Sequence, residues 1–254
     1  MSTVIPFSDT PVNAGTPTIA PLRNVAALSE LIQRVQNRHH ALPGMACFHG
    51  FSGYGKSCAA IYAANKWRAY HVQVKSVWTR KKLARSILQE MGVNNAAATV
   101  ADMIDQIGEQ LSLSQRPLLI DEADILVKRG MIEVVRDIYE SSRSTIILIG
   151  EENLPHALRR WERVHGRMLD WVPAQPVSEA DTRHLARLYC ADIELDDALI
   201  ATLTRVASGS VRRVAVNLDR ARERASILAA DKLTLADFPE SGMFTGLAPV
   251  GRSL

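Results

Sequence analysis

Gly50-Phe51-Ser52-Gly53-Tyr54-Gly55-Lys56-Ser57 sets two glycines, a lysine and a hydroxyl at the spacing G-x-x-x-x-G-K-[ST], with a further glycine, Gly53, between them. Glycines let the backbone curl until successive N–H groups converge on one point, a geometry that side chains obstruct, and the ligand such a nest holds is a phosphate. Lys56 is then placed for the β- and γ-phosphates and Ser57 for Mg²⁺. The helix that follows, Cys58 to Trp67, turns the positive end of its dipole toward the same anion. Residues Gly50 to Cys58 are therefore read as contacting a nucleotide, and the apolar Met45–His49 before them as a buried strand.

A second site lies at Pro117-Leu118-Leu119-Ile120-Asp121-Glu122, an apolar strand that ends in two carboxylates, the pattern called Walker B. Buried charge is costly unless it is used or paired. Asp121 is read as holding Mg²⁺ through water, and Glu122 as orienting or deprotonating the attacking water. With the glycine loop this makes ATP hydrolysis the leading reaction, with ATP and Mg²⁺ as its cofactors. Asp121-Glu122-Ala123-Asp124 also spells the signature of DEAD-box helicases, a decoy, since the residues that follow cannot supply a second recombinase-like domain.

The densest basic cluster is Lys75, Arg80, Lys81, Lys82 and Arg85, interleaved with Trp78 and Thr79, and Lys128 and Arg129 add to it after the acids. Two readings stay open: a solvated helix face, or a surface with an exposed Trp78 that grips the phosphate backbone of duplex DNA without reading its sequence. After the apolar run Ser144–Ile149, Gly150-Glu151-Glu152-Asn153 offers either a polar monitor of the γ-phosphate, Glu151 or Asn153, or a plain loop.

The elements that position these residues follow from periodicity. Apolar or alternating runs at 45–49, 69–75, 117–120, 144–149 and 168–172 predict strands, and amphipathic segments between them predict helices, an α/β pattern with a parallel sheet. Asn24 is expected to cap the first helix, Thr79 the helix carrying the basic cluster, and one helix is expected from Leu154 to His165. Pro173 and Pro176 mark a boundary, beyond which the chain reads as wholly helical. The division is a flexible tail over 1–23, an ATPase core over 24–175, a helical lid over 176–239 and a loose tail over 240–254.

At 254 residues, 47% of them hydrophobic, the chain can bury a proper core, and a net charge of +3 permits nucleic acid as a partner without demonstrating it. Cys47, Cys58 and Cys190 lack metal-ligand or disulfide spacing and read as packing residues of a reduced cytosolic protein. His39 and His40 read as a solvated helix end. No apolar run is long enough for a membrane span, and no leader-like N-terminus is present, so a cytoplasmic protein of a bacterial host is expected.

Strand, phosphate loop, acids after the third strand, a polar end after the fourth and a helical bundle together resemble the AAA+ ATPases over residues 24 to 238. That resemblance implies the sheet order 5-1-4-3-2, a helical lid, and a nucleotide held between core and lid and between subunits. It also implies that Gly209-x-x-Arg212 brings Arg212 to the γ-phosphate, and that Arg167, or alternatively Arg163, reaches a neighbour's ATP. Within AAA+, Gly50–Ser57, Thr79-Arg80-Lys81-Lys82-Leu83, Leu118–Asp124 and Ile149–Leu154 resemble the family of phage Mu DNA transposition protein B. The likeness implies an ATP-dependent homo-oligomer or helical filament on double-stranded DNA that delivers the target to a transposase and stimulates strand transfer. That family's N-terminal helix-turn-helix domain is expected to be absent or reduced. The competing readings are a helicase loader, a nucleotide-gated scaffold that does not touch DNA and, further off, a P-loop kinase.

Overall fold

The protein is described from a computed structural model covering residues 22–246; the expected N-terminal tail, apart from its last two positions, and residues 247–254 lie outside the described residues. Helix α1 (Arg23–Gln36) buries Leu28, Leu31, Ile32 and Val35, one face of a 3.6-residue period. Strand β1 (Met45–His49) then runs to the glycine loop, and α2 (Lys56–Trp67) and β2 (Tyr70–Gln73) follow. Thr79 and Thr99 cap α3 (Arg80–Glu90) and α4 (Val100–Ser114), each hydroxyl accepting the backbone N–H three residues on. Strand β3 (Leu118–Asp121) leads directly into α5 (Ala123–Lys128), a short helix that periodicity did not mark.

Next come α6 (Ile132–Ser142) and β4 (Ile146–Gly150), and then two short helices, α7 (Leu154–Leu158) and α8 (Glu162–His165), in place of the single expected one. The break falls at Trp161, whose φ of −109° and ψ of 71° leave the helical region. The chain turns there, so that Leu158 and Val164 both reach the core. Strand β5 (Met168–Pro173) closes the sheet.

The five strands are parallel in the order β2-β3-β4-β1-β5, the order that the AAA+ resemblance implies. Successive side chains of a strand point to opposite faces, and the two cores sort accordingly. Ala46, Phe48, Leu119, Ile147 and Ile149 pack toward α1, α2 and the lid. Met45, Cys47, Leu118, Ile120, Ile146 and Leu148 pack toward α3, α4 and α6. Such two-sided burial explains why the strands read as unbroken apolar runs. Among the described residues no helix is long and apolar enough to cross a membrane.

The remaining chain forms α9 (Glu179–Tyr189), β6 (Glu194–Leu195), α10 (Asp197–Val206), α11 (Val211–Leu228) and β7 (Lys232–Leu233). The expectation of wholly helical structure is corrected by β6 and β7, which pair in parallel. Outside, Lys232 meets Glu194 at 2.6 Å, while Leu233 is buried, a strand's alternation in miniature. Of the segment assigned to the C-terminal tail, residues 240–246 lie against the lid: Met243 is buried, and Phe244 exchanges hydrogen bonds with Asn217 of α11.

Two residues fasten the lid to the core. The Asp181 carboxylate completes a capping box with Ser178 and also takes the backbone N–H of Arg23 at 2.9 Å and its Nε at 3.1 Å. Asn24 is not the cap of α1; Leu22 holds that position, and Asn24 is buried in the first turn. Its amide donates to the carbonyls of Tyr54 and Gln175, both at 2.8 Å, and its oxygen accepts from Gln175 N–H at 2.8 Å. A satisfied buried amide is worth more than a surface cap, because losing it strands three backbone groups. Asn24 thereby pins α1 to the phosphate loop and to the core–lid junction at once.

Candidate functional site

The glycine loop lies at the carboxyl end of β1, beside the ends of β3 and β4. Gly53 and Gly55 hold φ of +87° and +83°, conformations that L side chains rarely adopt. A Cβ on Gly53 would also come within 2.5 Å of Ser210 Oγ, so the loop and the lid meet without room for a side chain. The N–H of Arg212 leans on Gly53 O at 3.4 Å. Lys56 Nζ donates to the carbonyls of Gly50 and Phe51, at 2.6 and 2.9 Å, which arches the loop over its own lysine.

A cleft of about 360 Å³ opens here. One wall is Ser52, Gly53, Gly55, Lys56, Ser57 and Cys58; the facing wall is Asp121, Glu122, Gly150 and Glu151, with Arg212 entering from α11. Its far end is apolar, built from Leu22, Leu185, Leu188, Tyr189, Val211 and Ala215. Phosphate chemistry at one end and an apolar wall at the other suit a nucleotide, base inward. Sequence reading missed that wall. Leu185, Leu188 and Tyr189 stand at i, i+3 and i+4 on α9, a legible stripe, but only the docking of lid on core turns it toward the loop.

Asp121 is 2% exposed; one oxygen accepts Glu122 N–H at 2.9 Å, and the other, Oδ2, is buried without a partner among the described residues. A buried carboxylate oxygen left unsatisfied is expensive. A cation or its water at the cleft relieves it, and Ser57 lines the same space, so the residues present fit Mg²⁺. Asp124, also buried, accepts Glu151 N–H at 2.7 Å and fixes the loop after β4. Burial, chiefly, raises the carboxyl pKa of Asp124 above the ordinary range.

Glu122 holds the left-handed conformation, φ 57° and ψ 38°, which turns the chain from β3 into α5. Burial raises its pKa, and the neighbouring Asp121 and Asp124 add to the rise against the opposing charge of Lys56. Lys56 in turn is lowered, first by burial, while the charges of Asp121, Asp124, Glu122 and Glu152 oppose that shift. A base acts only when ionised, so with Glu122 raised the ATPase rate is expected to fall on acidification above the pH of an ordinary glutamate, about 4.3. The pH dependence of kcat/KM, which reports the free enzyme, measures this. An acid limb at or below that pH, or one that persists in Glu122→Gln, contradicts the role.

Glu151 lines the cleft, whereas Asn153 does not: the backbone turns from Glu151 into α7, and Asn153 lines a separate groove with Lys128. Asn153 thus lies apart from Glu151 and the other cleft-lining residues. Arg167 sits at the other end of the sheet from the loop, where its carbonyl accepts Met45 N–H at 3.1 Å, so it serves no cleft in its own chain. Its Nε pairs with Glu140, which also holds Arg143 at 3.0 Å. Arg163, on α8, is exposed and has no ion pair among the described residues.

Trp78 is corrected from exposed to buried, at 9% exposure; it packs beneath α3 while Val77 stands out instead at 79%. Lys82 Nζ lies 5.8 Å from the indole centroid. Lys75, Arg80, Lys81, Lys82 and Arg85 are exposed. Arg129 donates to Ser76 O at 2.7 Å and Arg80 to Gly130 O at 3.3 Å, which draws Lys128 and Arg129 onto the same basic surface. Lys128 then reaches Glu151 at 3.6 Å, on the rim of the cleft.

A glycine loop after β1, acids after β3, the sheet order β2-β3-β4-β1-β5 and a helical lid define the AAA+ ATPase fold, and this chain has it. Residues 38–158, which span the loop and both acids, match the family described as AAA domain. Among solved structures the chain resembles the ORC2 protein of Aeropyrum pernix in its ADP form, at 16% identity and TM-score 0.61, over 89% of this chain and 69% of that one. It also resembles the ORC1 protein of Aeropyrum pernix in complex with DNA, at 17% identity and TM-score 0.60, over 83% of this chain and 61% of that one. The RuvB Holliday junction branch migration motor of Thermotoga maritima is similar at 16% identity and TM-score 0.58, over 86% and 67%. At such identities the likeness is one of fold. No curated protein matches the chain in sequence.

Proposed function

We propose that this chain is an ATPase that, with ATP bound, assembles with copies of itself on duplex DNA of any sequence, delivers that DNA to a transposase and stimulates strand transfer. The observation that carries the DNA-binding part is the exposed basic surface running from Lys75 to Arg129, tied to the cleft by Lys128 and Glu151. The likeness to phage Mu DNA transposition protein B supports the transposition role, and a similarly folded neighbour, the ORC1 protein, is in complex with DNA.

In this reading the loop N–H groups and Lys56 hold the β- and γ-phosphates, Ser57 with its hydroxyl and Asp121 through water would hold Mg²⁺, and the apolar wall takes the base. Mg²⁺, when bound, draws charge from the phosphate oxygens. Glu122 orients a water toward the γ-phosphorus and takes its proton as the bond to the β–γ bridging oxygen breaks and ADP leaves. Arg212 follows the γ-phosphate from the lid, and Arg163 or Arg167 of a neighbouring copy completes the site. Loss of the γ-phosphate frees the lid and the assembly lets go of DNA.

Random-sequence duplex should be bound with ATP or a slowly hydrolysed analogue, with log affinity falling by about 0.9 per phosphate contact for each unit of log salt. Strand transfer by a partner transposase should then favour the preloaded duplex over a bare competitor. Retention of a replicative helicase without DNA binding would instead favour a loader.

A further inference from the structure

A groove of about 520 Å³ lies between α5 and the α7–α8 corner, lined by Val127, Lys128, Asn153, His156, Arg160 and Trp161 among others. It shares no lining residue with the nucleotide cleft, and no expected site residue except Lys128 and Asn153 falls in it. None of its lining residues is acidic. The side chains of Arg160 and His156 are exposed and make neither an ion pair nor a hydrogen bond among the described residues. Lys128 is the one lining cation with a partner, Glu151, and that carboxylate stands in the neighbouring cleft.

The groove continues the basic surface. Lys128 belongs to both, and Gly130, whose carbonyl accepts from Arg80, borders Trp161: a Cβ built on it would sit 3.8 Å from the edge of the indole. A floor of Val127, Ala157 and Trp161 under a rim of Lys128, His156 and Arg160 matches a sugar–phosphate strand, apolar deoxyribose below and phosphates at the cations.

We propose that this groove is a further contact for the backbone of the same DNA, with Arg160 on a phosphate, Trp161 against the sugar, and the footprint extended from α3 past α5 to α7. The proposal rests on the DNA-binding reading above. The test is salt-titrated binding of random-sequence duplex by the full chain with a slowly hydrolysed ATP analogue. Arg160→Gln should weaken binding roughly fivefold and make the salt slope shallower by about one, while Arg160→Lys keeps the slope. ATP affinity, basal hydrolysis and thermal midpoint should stay at wild-type values in both. Wild-type affinity and slope in Arg160→Gln overturn the groove alone. So does a loss confined to analogue-driven self-association without DNA, which marks a subunit contact, or a loss confined to binding of poly-glutamate, which marks an acidic protein partner. A wild-type chain that binds no DNA under any nucleotide overturns the function itself.

Discussion

Replacing Lys56 with alanine is expected to lower ATP affinity roughly a thousandfold and to abolish hydrolysis and ATP-dependent DNA binding together. Lys56 is the ammonium that faces Asp121, Glu122, Asp124 and Glu152, and a triphosphate brought there without it meets carboxylates alone. One charge pair at about 4 Å is worth about 4 kcal/mol at the effective dielectric of a protein surface, which corresponds to that affinity ratio. The fold should survive. Burial lowers the pKa of Lys56, so its charged form is disfavoured by folding, and the cost is present while pH stays below its unfolded value. Alanine removes this cost along with two hydrogen bonds to loop carbonyls, so the thermal midpoint should move little. Nucleotide titration of the variant measures the effect; affinity within a few-fold of wild type would show that the loop holds something other than phosphates.

Glu122→Gln should cut the hydrolysis rate by about 10²- to 10⁴-fold while leaving ATP affinity unchanged or tighter. The amide keeps the shape of the side chain but cannot accept the water's proton. It also removes one negative charge from a site where Asp121 and Asp124 already raise the Glu122 pKa, so a triphosphate meets less repulsion. If hydrolysis ends the DNA-bound state, this variant should stay on duplex longer in ATP than wild type by a comparable factor. Single-turnover hydrolysis and DNA dissociation measured on one preparation separate the two effects. A hydrolysis rate within about threefold of wild type would move the base elsewhere.

What was legible in the sequence was what local chemistry dictates. The loop needs glycines at fixed positions, and Gly53 and Gly55 prove to be left-handed. The acids close an apolar strand, and Asp121 proves to be a buried acceptor without a partner among the described residues. Strand positions followed from apolar runs because both sheet faces are covered, and the strand order came from resemblance. Features set by contacts distant in sequence were not legible. The alternation that exposes Lys75 says nothing of whether Trp78 turns under α3. The three bonds of Asn24 join residues 30 and 151 positions apart. The apolar wall of the cleft exists because α9 docks on the loop, an arrangement no spacing within α9 encodes. Asn153 and Glu151 look equivalent on paper, and only the turn into α7 separates them.

The central claim, that the cleft at Gly50–Ser57 governs the grip of the basic surface on DNA, is tested most directly by titrating the wild-type chain against random-sequence duplex at fixed salt with no nucleotide, with ADP and with a slowly hydrolysed ATP analogue. The account predicts strong binding with the analogue alone, lost as salt rises and lost in Lys56→Ala. Equal binding in all three states would contradict it.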